Sequence, residues 1–134
     1  MKPAVVFPDI VALLITHLRI VEPELDYDIN QRPPGDGPLI VMNRNGGVQK
    51  TLVSDEAYVD IDAWAPDAHD GVEQAHDAIQ RVRSRIRSLT GSKLNDTPIY
   101  HVGELAGPAR LPDPENERDR WNCSLAVSYR GTSI

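Results

Sequence analysis

The sequence predicts a single α+β domain, a largely antiparallel sheet with two main helices packed on one face. Three observations predict it. Apolar residues recur at three- and four-residue steps in two places, near the start of the chain and at its middle. Runs with strand character, bounded by Pro, Gly and Asn, lie between and after them. The order is α, β, β, β, α, β, β, so the strands cluster and do not alternate with helices as a parallel α/β design requires. At 134 residues the chain is long enough for one modest core and short for two.

Phe7-Pro8-Asp9 marks the first helix start, since Pro is tolerated in a first turn and an early acid complements the positive end of the dipole. The helix runs to about Val21, with Ile10, Leu13, Leu14, His17, Leu18 and Val21 as its predicted core stripe, and Pro23 ends it. "LDYDINQRPPGDGPLIVMNR" then gives a short strand, a Pro/Gly loop at 32–38 and a second strand at 39–44. Asn45-Gly46-Gly47 is expected to turn the chain back, because Asn and Gly tolerate positive φ. The returning strand, "AYVDIDAWA", sets Ala57, Val59, Ile61, Ala63 and Ala65 on an inward face and Tyr58, Asp60, Asp62 and Trp64 on the other.

Pro66-Asp67 opens the second helix, where Val72, Ala75, Ile79, Val82, Ile86 and Leu89 make a buried stripe, and Gly91 is expected to cap its end. Asp67, Asp70, Glu73 and Asp77 crowd its first half and Arg81, Arg83, Arg85 and Arg87 its second, matching the macrodipole and allowing pairs such as Asp77 with Arg81. Such a charge run reads either as a solvated face or as a subunit contact. Two strands follow at 98–106 and 121–130, the second with Trp121, Cys123, Leu125, Val127 and Tyr129 on one side.

A net charge of −6 and a pI near 5.1 argue against a surface built to grip phosphate backbones. The apolar N-terminal stretch is not read as a signal peptide or membrane span: Asp9 interrupts it, His17 and Arg19 close it, and no small-residue cleavage site follows. It is expected to be an amphipathic helix of a cytosolic product. The lone Cys123 offers neither an internal disulfide nor a thiolate zinc site.

Chemistry is sparse. His69 and His76 stand seven apart, about 10 Å along a helix, too far to share one metal; His17 and His101 read as packed or edge histidines. Asp60 and Asp62 share one side of a strand, which would suit acid/base work or a cation, but the polar outer-face reading needs no third ligand. "NRNGGVQ" has no following helix to cradle a phosphate, and no serine-hydrolase elbow or Walker loop is present. The expectation is no enzyme, no catalytic residue, no cofactor and no metal.

One segment remains, "GPARLPDPENERDRW" at residues 107–121, whose prolines exclude a helix or central strand and whose charges exclude a core. With "VMNRNGG", "DAWAP", the Ala- and Arg-rich helix and "GELAGPARLPDPENERDRWNCSLAVSYRG", the chain resembles, over nearly its whole length, the tail terminator proteins of long-tailed (siphovirus-type) bacteriophages of actinobacteria. Trp64-Ala65-Pro66 and the 107–121 segment are the most specific parts. The resemblance implies a structural protein of the virion, at the head-proximal end of the tail and in the host cytoplasm during assembly. It implies a homo-oligomeric ring, usually a hexamer, that caps the tail tube, stops polymerisation of the major tail tube protein and docks to the head–tail connector protein. DNA would pass through the lumen without specific binding, and no membrane is involved. A head-completion or connector ring of the phage neck is the alternative, and a small metal-dependent enzyme a further one. The expected interface comprises Leu111, Pro112, Pro114, Glu115, Glu117, Arg118, Asp119 and Arg120, where stiff prolines fix an arm and paired charges set its register, together with Arg81 and Arg85 on the second helix.

Overall fold

In chain order the elements are β1 (Val5–Val6), α1 (Ile10–Val21), β2 (Asp28–Asn30), β3 (Leu39–Gln49), β4 (Ser54–Trp64), α2 (Gly71–Arg87), β5 (Lys93–Leu94), β6 (Thr97–Arg110), β7 (Arg120–Arg130) and β8 (Thr132–Ser133). This computed structural model describes residues 1–31, 37–65, 71–111 and 119–134. Six strands form one sheet in the order β2-β3-β4-β7-β6-β5. All its pairings are antiparallel except β2 with β3, which run parallel. The α+β architecture with both helices over one face is therefore observed; the parallel edge and the short β1, β5 and β8 are additions to it.

The core lies between that face and the helices. Ile40 and Met42 of β3, Val59 and Ile61 of β4, and Cys123, Leu125, Val127 and Tyr129 of β7 meet Ile79, Val82 and Ile86 of α2 and Leu14 and Leu18 of α1 in one apolar cluster. Helix α2 crosses β4, β7 and β6, while α1 covers β2 and β3. Ala57, Ala63 and Ala65 are buried as expected, and Ala78 joins the α2 stripe. On α1 the buried set is Ile10, Val11, Leu14, Ile15 and Leu18. Leu13, His17 and Val21 are only half-buried, because a helix that is apolar almost all round leaves its orientation to its neighbours. Asp9 does cap it, its carboxylate accepting from the Ala12 N–H.

Four expectations are corrected. The glycines of Asn45-Gly46-Gly47 make a β-bulge within β3, not a turn: the register with β4 shifts between Arg44 and Gly47. Gly46 and Gly47 sit at φ +78° and +135°, and a Cβ on Gly47 would lie 2.0 Å from the Glu56 carbonyl oxygen. The chain instead reverses at 50–53, where the Lys50 and Thr51 N–H groups donate to the Ser54 carbonyl and the Thr51 hydroxyl accepts from the Val53 and Ser54 amides. Gly91, at φ +78°, does not close α2; its N–H donates to the Ile99 carbonyl and ties the helix exit to β6. Strand β6 continues through Pro108 to Arg110, with register shifts at Ile99/His101, Glu104/Ala106 and Ala106/Ala109. Proline fits there because β5 covers only the first residues of that strand and its far edge is otherwise an edge of the sheet. Finally, Asp77 does not pair with Arg81, whose partner is Glu22, the residue that caps the end of α1. The proposed helix start at Pro66-Asp67, and His69, lie outside the described residues.

At the end of the sheet the buried Tyr129 and Asp55 join the more exposed Arg44 in a polar triad. The Tyr129 hydroxyl donates to Asp55 Oδ2 and accepts from Arg44 Nη1, and Arg44 Nη2 reaches the same carboxylate, each at 3.0 Å. Phe7 packs edge-on against the Tyr129 ring at 6.0 Å, delivered there by the β1–β8 ribbon that joins the chain ends.

Candidate functional site

Helix α1 stops at Glu22, whose N–H still donates to the Leu18 carbonyl while Pro23 follows. Its side chain turns beneath α2. Arg81 Nε donates to Oε2 at 3.1 Å and Arg85 Nε to Oε1 at 2.9 Å, so one carboxylate, 7% exposed, holds two guanidiniums one helical turn apart. The Arg85 hydrogen bond, against the opposing cost of burial and with help from Arg81, keeps the Glu22 pKa below the ordinary carboxylate value. His17, one turn back on α1, is pushed down by burial and then by the Arg85 charge. Both arginines remain half open to solvent, at 58% and 47%. Their Nη atoms have no hydrogen-bond partner among the described residues. They rim a shallow groove of about 330 Å³ with Gln80 and Ser84.

The segment that joins β6 to β7 is anchored at both ends. The Leu111 N–H donates to the Arg120 carbonyl at 2.6 Å, and the Ala65 N–H to the Asp119 carbonyl at 2.8 Å. Asp119 Oδ1 accepts from Arg110 Nε and Nη2 at 2.9 and 2.6 Å. Arg120 lies 5.0 Å over the Trp64 ring with its Nε 3.8 Å from Asp62. Trp64 thus has a packing role on the outer face of the sheet, where it is buried with Leu39 and Val41. Leu111 is exposed. Of the expected interface residues, Pro112, Pro114, Glu115, Glu117 and Arg118 lie outside the described residues.

The helix-free face of the sheet carries a ladder of acids on β4 opposite hydroxyl or amide groups on β7. Ser128 Oγ donates to Glu56 Oε2, Ser124 Oγ to Asp60 Oδ1, and Asn122 Nδ2 to Asp62 Oδ1, in register with the strand pairing. Asp62 is pushed above the usual carboxylate range, first by desolvation, which Asn122 and Arg120 oppose and Asp60 reinforces. Asp60 and Asp62 do point the same way, but among the described residues no three His, Cys, Asp or Glu side chains come together to hold a metal. His76 stacks edge-on against Trp121 at 4.6 Å. Burial pushes the Cys123 thiol up to about 12, which leaves it unreactive as a nucleophile. Arg83, tied to Glu104, and Arg87 flank a wider groove of about 510 Å³ between α2 and β6. No helix among the described residues is long and apolar enough to cross a membrane.

Among the described residues the polar geometry is one of ordered charge on two opposite faces. No family model matches the chain, and no curated protein matches it. The fold has a solved counterpart. A chain in the virion of the native gene transfer agent particle has the same fold, with a TM-score of 0.54 at 16% identity, over 92% of this chain and 87% of that one. At that identity the likeness is one of fold. The buried Glu22 and its arginines had no signal in the sequence beyond the i,i+4 arginine pair, since the acid lies 59 and 63 positions away from them.

Proposed function

We propose that the chain is a structural protein of a phage-type virion, a tail terminator that assembles as a ring of six copies on the head-proximal end of the tail tube. It stops polymerisation of the tube protein and presents the surface that docks to the head connector, and DNA passes through its lumen. The observation that carries this reading is the fold held in common with a chain of a virion particle across 92% of the sequence, combined with the residues that resemble tail terminators. The charge distribution is compatible with it: a closed ring needs different surfaces on the two sides of each subunit, and a net charge of −6 lets DNA slide without adhering.

The arm between β6 and β7 supplies the test. Because Leu111, Asp119 and Arg120 are tied into the sheet, only residues 112–118 need be exchanged for a Gly/Ser linker of equal length, leaving the anchors intact. The variant is expected to melt like the wild type and to fail to cap tubes, so that tube protein polymerising in its presence gives lengths as broad as without it by electron microscopy. Wild-type protein that leaves tube lengths unchanged but binds a portal ring would replace this function by that of a neck connector. A variant that still terminates tubes at normal length would reduce the segment to a connection.

A further inference from the structure

We propose that Arg81 and Arg85 form a two-pronged receptor for the carboxylates of Asp60 and Asp62 on a second copy of this chain. The inference rests on the ring reading above and names the contact that joins its subunits.

The receptor is set in advance. Each guanidinium donates its Nε to Glu22, which restrains its plane while both side chains stay half open to solvent. That ordering removes much of the side-chain entropy that a free arginine loses when it docks. Two guanidiniums on one carboxylate leave a net positive charge, and the Nη atoms of both remain without acceptors among the described residues.

The ligand side is arranged in the same manner. Ser124 holds Asp60 by Oδ1, and Asn122 holds Asp62 by Oδ1 with Arg120 Nε 3.8 Å from that same atom, so each carboxylate keeps its Oδ2 atom without a hydrogen-bond donor among the described residues. The spacings agree: residues two apart on a strand lie about 7 Å apart, and residues four apart on a helix about 6 Å apart. The two pairs are therefore spaced alike along their elements, as two parallel carboxylate–guanidinium contacts require.

Within one chain the two surfaces cannot meet, because α2 covers one face of the sheet and the acid ladder occupies the other. Opposite surfaces that fit each other make a heterologous, head-to-tail contact, which closes into a ring when the rotation per step divides the full turn.

Two variants test this. Asp60→Asn/Asp62→Asn removes the ligand and keeps the bonds to Ser124 and Asn122. Arg81→Lys/Arg85→Lys keeps positive charge on Glu22 and removes the Nη atoms. Sedimentation equilibrium of the wild type is expected to give oligomers. Each variant alone should associate at least roughly tenfold more weakly, with a melting curve within a few degrees of wild type. An equimolar mixture of the two retains one good receptor and one good ligand, so it should form a one-to-one dimer that grows no further, an outcome a merely structural role would not produce. If the wild type assembles and both variants assemble equally well, or the mixture yields no dimer, the contact is wrong while the ring reading stands. A wild type that stays monomeric at all concentrations overturns both. Inorganic phosphate would satisfy the same Nη atoms; binding of phosphate that Arg81→Lys/Arg85→Lys abolishes, with self-association indifferent to the aspartates, would make this a free-anion site and refute the second copy as its occupant.

Discussion

Replacing Tyr129 by Phe removes one oxygen atom and nothing else from the core. The ring is fully buried, and its edge-on contact with Phe7 survives the change. What disappears is the 3.0 Å hydrogen bond donated to Asp55 and the acceptor for Arg44 Nη1. The two losses are unequal. Arg44 is 39% exposed and water can take the vacated place, whereas Asp55, 10% exposed, keeps only its bond from Arg44 Nη2. Hydrogen bonds to charged groups contribute about 1.5–3 kcal/mol, and a buried acceptor left short costs about 1–3 kcal/mol, so a net loss of about 2 kcal/mol is expected. For 134 residues the unfolding entropy is about 0.28 kcal/mol/K, which places the melting temperature about 7 °C lower. The Tyr129 hydroxyl stays protonated throughout such an assay, because burial, followed by the bond to Asp55, pushes its pKa up to about 12. Calorimetry and urea titration check the value, with an unchanged m-value as the sign that only stability moved. A fall of less than about 2 °C would mean that Arg44 alone satisfies Asp55 and that the triad is no cooperative unit.

Glu22→Gln should make stability less dependent on acid. The Glu22 pKa is lowered in the folded state, so its contribution is present above the usual value of 4.5 and is lost as pH falls through the folded value; the gap between wild type and variant in urea midpoint should narrow below that pH. Ile79→Asp places an unpaired charge in a site that is 0% exposed and should cost several kcal/mol, on the order of the whole stability of the domain. A soluble variant with an unchanged melting curve would contradict the placement of α2. Gly47→Ala should cost about 2 kcal/mol or more, since its Cβ would meet backbone, whereas Gly46→Ala, at φ +78° with nothing within 4 Å, should cost only about 1 kcal/mol; equal melting temperatures would argue against the bulge.

The helices and the long strands were legible because their signals are periodic. The α2 stripe and the alternation of β4 and β7 each repeat a residue type at a fixed step, and burial follows that step. Asn45-Gly46-Gly47 misled because a bulge and a tight turn ask the same thing of the backbone, positive φ, and local chemistry does not distinguish them. The extension of β6 through Pro108 was hidden for a different reason: a proline excludes a central strand, but the sheet order, which decides what is central, is a property of the whole chain. Charge pairing was the least legible. Asp77 and Arg81 have the ideal local spacing, yet Arg81 goes to Glu22, which offers a carboxylate already withdrawn from water.

The register shifts in β3 and β6 bear on how this chain tolerates crowding by its own copies. A flat strand edge presents a row of unpaired amides and carbonyls that any other chain can extend, and high local concentration turns that into a route to fibrils. Here the two long strands nearest the sheet margins are bent by bulges, one by paired glycines and one around a proline, which spoils the template over the stretches that β2 and β5 leave uncovered. Unbending either edge, by filling Gly47 or straightening the strand around Pro108, should therefore expose a flatter template and promote edge-to-edge aggregation.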